Sequence, residues 1–373
     1  MNFKALYIRG ERVIAVQGGA DIVSQSVLAM LRQYFEGNLD ELYINELTAE
    51  PLTKGRILIG ALHGYFEPYG KKEQSILMER LAGVDFVFVD QSVYGRACED
   101  IRRFDSKIRI AALFHNIERK YYAQRALRFF RIHNLFLVPA IIRAETAAVA
   151  AADLVIAVSE REARMMSRLY GRKPDLIVAA PVQDVYTGIN AHRHPTHSSN
   201  DFVMLFVGSA FPPNLHGMRW FVRNVMPNVD GRLFIVGHGF EQYRHELSRI
   251  NVDVVGSVED TIAWYQKAHC VVSPIFWGQG IKVKTAEAYM HGKIVIGTQE
   301  AFAGYDYLRA GSILAKKKAD WIKALRNLNT RARVCDVSFC RQARTYYEQE
   351  LSVDAQYRKF SAVLDRILSG EHE

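Results

Sequence analysis

The sequence predicts an α/β protein of two domains facing a cleft, each a mostly parallel sheet covered by helices. Three observations carry this. The chain has 373 residues, and ~150 residues per domain gives two domains. Short apolar runs of strand type alternate with longer helical periods, which implies βαβ units. The alternation restarts after a polar stretch without period at 187–200, which reads as a linker or domain-edge loop.

In order, strands are expected at Ala5–Ile8, Arg12–Val16, Leu42–Ile44, Ile57–Leu62, Phe86–Val89, Ile108–Phe114, Leu154–Val158 and Leu176–Val178. Helical periods at Ser24–Phe35 and Ser75–Ala82 lie between them. After the linker come strands at Phe202–Val207, Leu233–Val236, Val252–Val255, Cys270–Ser273 and Ile294–Thr298. Helices are expected near Gly217–Val225, Gln242–Ile250, Thr261–Ala268, Val283–His291 and Asp320–Leu328. The tail from Val334 to Leu368 reads as helical and charged. The expected domains are 1–190 and 191–351, with a helix at about 352–370 able to pack back on the first. Open α/β sheets bind ligands outside the carboxyl ends of their strands.

Composition sets the limits. Hydrophobic residues make up 49% and charged residues 24%, which excludes a disordered or fibrous chain. Basic residues number 48 and acidic residues 40. Residues 1–195 carry 26 and 22 of them, so the excess is spread evenly and forms no basic tail of the nucleic-acid kind. A mild excess favours anionic partners such as phosphorylated substrates or acidic lipid surfaces. Cys98, Cys270, Cys335 and Cys340 make neither a disulfide framework nor a zinc pair, which fits a reducing cytoplasm. The opening residues lack an apolar core of signal-peptide type. The longest apolar stretches, such as Leu135–Ile142, fall far short of the ~20 residues that span a bilayer. His192, His194 and His197 lie in the polar linker, where a metal site would need a fourth ligand and a fixed backbone. There is no Asp-x-Asp and no GxxxxGK[ST].

Three segments of the second half carry chemistry. Phe202–Val207 runs into Gly208, Ser209 and Ala210, then Phe211-Pro-Pro-Asn214 and a helix. This is either an ordinary tight turn or an anion site of backbone N–H groups. Leu233–Val236 runs into Gly237-His238-Gly239, but Gln242 stands where a dinucleotide loop has its third glycine. The third segment is the richest. An apolar strand ends at Ser273-Pro274, then Gly278, Gln279, Gly280, Ile281, Lys282 and Lys284 lead into a helix carrying Glu287. Lysines are out of place at a helix start, which prefers acids, so the pair points to a phosphate. Glu287 is suited to a ribose diol. Residues two apart on a regular helix diverge by roughly 200°. Both lysines therefore reach one phosphate only if Lys282 is still extended, and Lys282, nearer Gly280, is expected to dominate.

These residues resemble the donor-binding motif of glycosyltransferase family 4, the retaining GT-B enzymes. That motif has two glutamates separated by seven residues; Glu287-Ala288 matches the second, and the first falls on Gln279. His291-Gly292 with Ile294–Thr298 continues the match. So do Gly208, Pro213–Gly217, Ile235–Gly239 and Val255–Val258. The resemblance is dense over 202–304 and looser over 1–190. It implies two Rossmann-like domains facing a cleft, with a nucleotide sugar, a UDP-sugar, held by the second. The donor site it implies comprises Gly208, Ser209, Asn214, Gly237, His238, Val258, Gly280, Ile281, Lys284 and Glu287, with Lys282 and Gln279 at the reacting end. The family's arginine and lysine in the first loop are absent here before Arg219, which leaves the diphosphate to Lys282 and Lys284. An amide at Gln279 both donates and accepts, so it reads sugar hydroxyls without a charge.

In the first half, Gly18-Gly19 resembles the family's glycine-rich acceptor loop, and His115-Asn116 ends a strand where the cleft is expected. On spacing alone His115 is more often structural; the resemblance reverses this and makes it catalytic, near the donor sugar or transferred phosphate, with Asn116 on the acceptor. Residues 119–133 interleave arginines with aromatics, and Tyr122, Ala126, Phe129, Phe130 and His133 share one helical face. Such a helix either packs on the sheet or lies on an anionic membrane surface. The expected protein is a metal-independent hexosyltransferase without a cofactor. It acts in the cytoplasm, peripherally at the inner membrane face, on a saccharide or lipid-linked acceptor in surface polysaccharide or glycolipid assembly. The rivals are a GT-B nucleotide-sugar epimerase and a non-catalytic partner subunit.

Overall fold

Runs such as Phe86–Val89 (FVFV), Leu154–Ala157 (LVIA) and Ile294–Gly297 (IVIG) are apolar at every position and buried throughout. Strands of this kind must be covered on both faces, which is the condition of a parallel sheet between helices. The computed structural model describes residues 3–14, 19–47, 69–128, 137–179, 181–186, 202–278 and 280–370, side chains 124–128 aside. The chain forms two compact units, Met1–Ala179 with Gln356–Glu373, and Ala180–Ala355. The sequence had suggested a division at 190.

The first unit holds β1 (Ala5–Arg9), β2 (Leu39–Tyr43), β3 (Phe86–Val89), β4 (Arg109–Phe114), β5 (Leu154–Ala157) and β6 (Leu176–Ile177). They pair in parallel in the order β2-β1-β3-β4-β5-β6. The C-terminal helix Val353–Ser369 covers this sheet. Phe360 meets Phe88 edge-on, with ring centroids 6.2 Å apart. The second unit holds β7 (Val203–Val207), β8 (Arg232–Val236), β9 (Val252–Gly256), β10 (Cys270–Ser273), β11 (Ile294–Gly297) and β12 (Ile313–Leu314). Their order is β12-β11-β10-β7-β8-β9, again parallel.

Several elements differ from expectation. No strand forms at Arg12–Ile14, because β1 has ended and the Arg12 N–H donates to Glu46 Oε1 at 3.3 Å instead of to a ladder. Ala15, Val16 and the expected strand Ile57–Leu62 lie outside the described residues. The helix expected over Gln242–Ile250 is a 3-10 turn, Phe240–Tyr243, and one helical turn, Arg244–Leu247. An antiparallel bridge between Arg249 and Val252 ends it. The tail is helical only from Arg341; Val334–Cys340 is turn and coil. The two-residue β12 was too short to be read.

Helix Gly95–Phe104 crosses helix Val138–Ala151 closely because the second is built of small residues (VPAIIRAETAAVAA). A Cβ on Gly95 would collide with the Ala144 carbonyl oxygen and lie 2.7 Å from Ala148 N. Gly95 has φ −56°, which any residue adopts, so steric overlap alone demands glycine here. Gly95→Ala is expected to destabilise the protein by about 3 kcal/mol, read as a lower urea midpoint with an unchanged m-value.

Candidate functional site

The chain leaves β7 in one direction to β8 and β9, and returns to β10 on the other side. The carboxyl ends of β7 and β10 are therefore the switch point of the second sheet, where doubly wound sheets hold ligands. Gly208 (φ 151°) and Gly237 (φ 143°) follow β7 and β8 in conformations that L side chains rarely adopt. A Cβ on Gly237 would overlap the Gly208 backbone. The Gly208 N–H donates to Val236 O at 2.9 Å and the Ala210 N–H to His238 O at 2.8 Å, so the two loops are tied together. The Gly237 N–H donates to Gly256 O at 2.7 Å, joining the end of β9.

Helix Pro212–Asn224 starts beside Gly208. Its first two positions are proline, so two of the usual four free N–H donors are missing. A side-chain cation takes their place. Lys284, in the first turn of helix Val283–Met290, donates from Nζ to Asn214 Oδ1 at 2.7 Å. A Cβ on Gly208 would lie 2.7 Å from that Nζ, which also sits 5.0 Å from the Phe206 ring centroid. Asn214 in turn donates from Nδ2 to Ser209 O at 2.8 Å. Asn214 is the one hydrogen-bond partner of the ammonium among the described residues, and two of its three N–H bonds are uncommitted there. Burial, and then the neighbouring Lys282, lower the Lys284 pKa to about 7.

Lys282 caps the same helix with φ −96° and ψ 87°, so it is not yet helical. Its Nζ turns elsewhere, to Glu300 Oε1 at 2.7 Å and Gly280 O at 2.9 Å. Lys284, rather than Lys282, reaches the Gly208 loop. Gly280 has φ 67° and Ile281 is buried; Gln279 lies outside the described residues. Glu287 is half-buried, and its Oε2 accepts from Tyr265 at 3.4 Å. Burial raises its pKa, against the opposing pull of Lys284 and Tyr265. His238 is exposed on the loop after β8, with Nδ1 3.3 Å from Ser257 Oγ; Val258 follows on the loop after β9.

The first sheet has its own switch point, between β1 and β3. Arg9 ends β1, Asp90 follows β3 and His115 follows β4. Asp90 is fully buried, and its Oδ1 lies 2.7 Å from His115 Nε2. Its Oδ2 accepts from Arg9 at 3.1 Å and from the Tyr7 hydroxyl. Arg9 also donates to Asp21 at 2.9 Å, and Ser24 Oγ lies 3.2 Å from His115 Nε2. Burial works to raise the Asp90 pKa; His115 and Arg9 outweigh it, so the carboxyl sits below its ordinary value. Asn116 donates to Glu118 at 3.4 Å. Gly19 opens helix Gly19–Phe35, whereas Gly18 lies outside the described residues. Arg9, Ser24 and Asp90 were missed in the sequence. For Arg9 and Asp90 the available signal was an ionisable residue set directly at the end of an apolar strand; Ser24, inside helix Gly19–Phe35, carried no such signal.

Helix Glu118–Arg128 begins on Glu145, whose carboxylate accepts the Glu118 N–H at 2.7 Å. Burial pushes the Glu145 pKa up to about 7. Of the face expected on this helix, Phe129, Phe130 and His133 lie outside the described residues, as do His192, His194 and His197. Among the described residues no group of three or more His, Cys, Asp or Glu is placed to hold a metal ion. No helix there is long and apolar enough to cross a membrane.

Two parallel six-stranded sheets with polar switch points define the class, and solved structures share it. Sucrose-phosphate synthase from Thermosynechococcus elongatus is 15% identical over 99% of this chain and 100% of that one, with TM-score 0.72. Anabaena HepE in complex with UDP is 16% identical over 97% and 100%, with TM-score 0.65. WaaG, a glycosyltransferase involved in lipopolysaccharide biosynthesis, is 12% identical over 98% and 100%, with TM-score 0.62. The fold is that of the GT-B glycosyltransferases. Residues 201–330 match the family model described as glycosyl transferases group 1, and the resemblance to family 4 stands. Among curated proteins, none matches the chain.

The setting of Lys284 has a measurable consequence. Its folded pKa lies below the ~10.4 of an unfolded lysine, so stability rises with pH between about 7 and ~10.4. With lysines labelled by 13C-methylation, one resonance is expected to titrate near pH 7 and to vanish in Lys284→Met. A Lys284 resonance that stays charged to pH ~10 contradicts this account.

Proposed function

We propose that the protein is a retaining, hexosyltransferase-type enzyme. It moves a sugar from a UDP-sugar to a saccharide or lipid-linked saccharide acceptor in surface polysaccharide or glycolipid assembly. One observation carries the reading: a lysine ammonium with uncommitted N–H bonds lies under Gly208 at the switch point, beside a helix start stripped of two donors by proline. A diphosphate suits that place. The HepE structures solved with UDP and with UDP-glucose support a uridine nucleotide as the donor's leaving group.

In this reading Lys284 neutralises the diphosphate, with Gly208, Ser209 and Asn214 shaping its pocket. Glu287 accepts the ribose hydroxyls, and Gly237, His238 and Val258 border the base. Gln279, Gly280 and Ile281 face the sugar. Lys282 orders this loop through Glu300 and acts at the reacting end. Gly18, Gly19, His115 and Asn116 belong to the acceptor side. Catalysis is mainly positioning and charge neutralisation of the leaving diphosphate. Lysine supplies the cation, so no metal or other cofactor takes part. The enzyme works in the cytoplasm at the inner membrane face, held by the basic segment from 119 to 133. WaaG's role in lipopolysaccharide biosynthesis is in keeping with such a substrate.

Release of UDP from UDP-glucose, with and without saccharide acceptors, tests the reading. Transfer supports it, sugar interconversion without acceptor favours an epimerase, and no turnover with a full donor panel favours a partner subunit. Glu287→Ala is expected to weaken UDP binding by about 2–4 kcal/mol in calorimetry. Lys284→Met is expected to cut turnover by roughly 10²-fold or more, and Lys282→Met by less. Equal UDP affinity in wild type, Glu287→Ala and Lys284→Met sinks the donor site. A diphosphate also favours the charged lysine, so binding takes up a proton above pH ~7. The calorimetric enthalpy at about pH 8 is then expected to depend on the buffer's ionisation heat, and Lys284→Met to lose that dependence.

A further inference from the structure

The network at the first switch point holds more than a packed histidine needs. The His115 side chain is 8% exposed and Asp90 is fully buried. His115 Nε2 faces both Asp90 Oδ1 at 2.7 Å and Ser24 Oγ at 3.2 Å. A ring nitrogen at that distance from a carboxylate carries the proton. Asp90 is held in its turn by Arg9 and Tyr7, and Arg9 by Asp21. Every group behind Nε2 is thus fixed. On the other side of the ring, Nδ1 is buried without a hydrogen-bond partner among the described residues. The Asn116 Oδ1 and the Arg9 Nε are in the same condition. Unpaired buried polar atoms are a standing cost, about 1–3 kcal/mol each. Three of them on residues at the carboxyl ends of β1 and β4 offer two acceptors and a donor, the complement of a hydroxylated ligand.

We propose that Asp90 is a positioning residue: it fixes His115 with Nε2 protonated and turned inward, and so makes Nδ1 the nitrogen that accepts a hydrogen bond from a sugar hydroxyl. The proposal deepens the reading of His115 as part of the acceptor side and rests on it. Asp90 itself meets no ligand. It acts through the tautomer and the tilt of the ring, while Arg9 and Tyr7 keep its carboxylate ionised and still. Ser24 shares the Nε2 side and limits rotation of the ring.

The test begins with the full chain carrying 15N-histidine, at about pH 8, where an ordinary imidazole is neutral. His115 is identified among the 12 histidines by its loss in His115→Asn. Long-range 1H–15N spectra are expected to show proton on Nε2 and a bare Nδ1. A proton on Nδ1 overturns the proposal. In Asp90→Asn the ring is expected to populate both tautomers. UDP release from UDP-glucose is then expected to fall ~10-fold or more in kcat, with KM for the donor little changed. An unchanged tautomer and kcat in a folded Asp90→Asn overturn it. If that variant does not fold, two others decide. The amide of asparagine reaches the place of Nδ1 and that of glutamine the place of Nε2, so His115→Asn is expected to keep more activity than His115→Gln. The opposite order overturns the proposal. A wild type that releases no UDP counts against the proposed activity alone, and the tautomer then decides the role of Asp90 by itself.

Discussion

The close approach of Gly208 and Gly237 sets the geometry of the second unit. The backbones following β7 and β8 touch there, in conformations that suit glycine, and hydrogen bonds lock the two loops together. Without side chains in the way, the ammonium of Lys284 slides under Gly208 and meets Asn214. Asn214 ties the start of helix Pro212–Asn224 to Ser209 and, through Lys284, to the start of helix Val283–Met290. A Cβ at Gly237 would meet the Gly208 backbone, and one at Gly208 would meet the Lys284 ammonium.

The two units solve the same problem with opposite charges. Each doubly wound sheet gathers polar groups where its strand order reverses. In the second unit the central group is a cation short of partners. In the first it is a fully buried carboxylate with an arginine, a tyrosine and a histidine around it. An isolated buried charge is costly, and such groups persist when they are paired or serve a ligand. The Asp90 network is of the paired kind, whereas Lys284 has Asn214 as its one hydrogen-bond partner among the described residues.

Much of the fold was legible. Strands with apolar residues at every position, such as Phe86–Val89 and Cys270–Ser273, were placed to the residue, because burial on both faces leaves no alternation to misread. The failures share a cause. Arg12–Val16 has strand-like residues, but the sheet ends its first strand at Arg9. Gln242–Ile250 has helical periodicity, but the pairing of Arg249 with Val252 interrupts it. Local pattern yields where another hydrogen bond, with distant Glu46 in one case and within a short turn in the other, competes for the same backbone.

The sequence by itself determined the two parallel sheets, the glycines of the ligand-side loops and a pair of lysines where a helix begins. These are properties of residue type and spacing, which the chain carries before it folds. Only the tertiary structure decided where each lysine turns. Lys282 and Lys284 stand two residues apart, yet one turns to Glu300 and the other to Asn214, 18 and 70 residues away. It alone brought Arg9, Asp90 and His115 together, since residues 81 and 25 apart in sequence meet because parallel strands all end at one edge. Side-chain direction at a helix start and contact across a sheet edge depend on elements distant in the chain, and no local pattern encodes them.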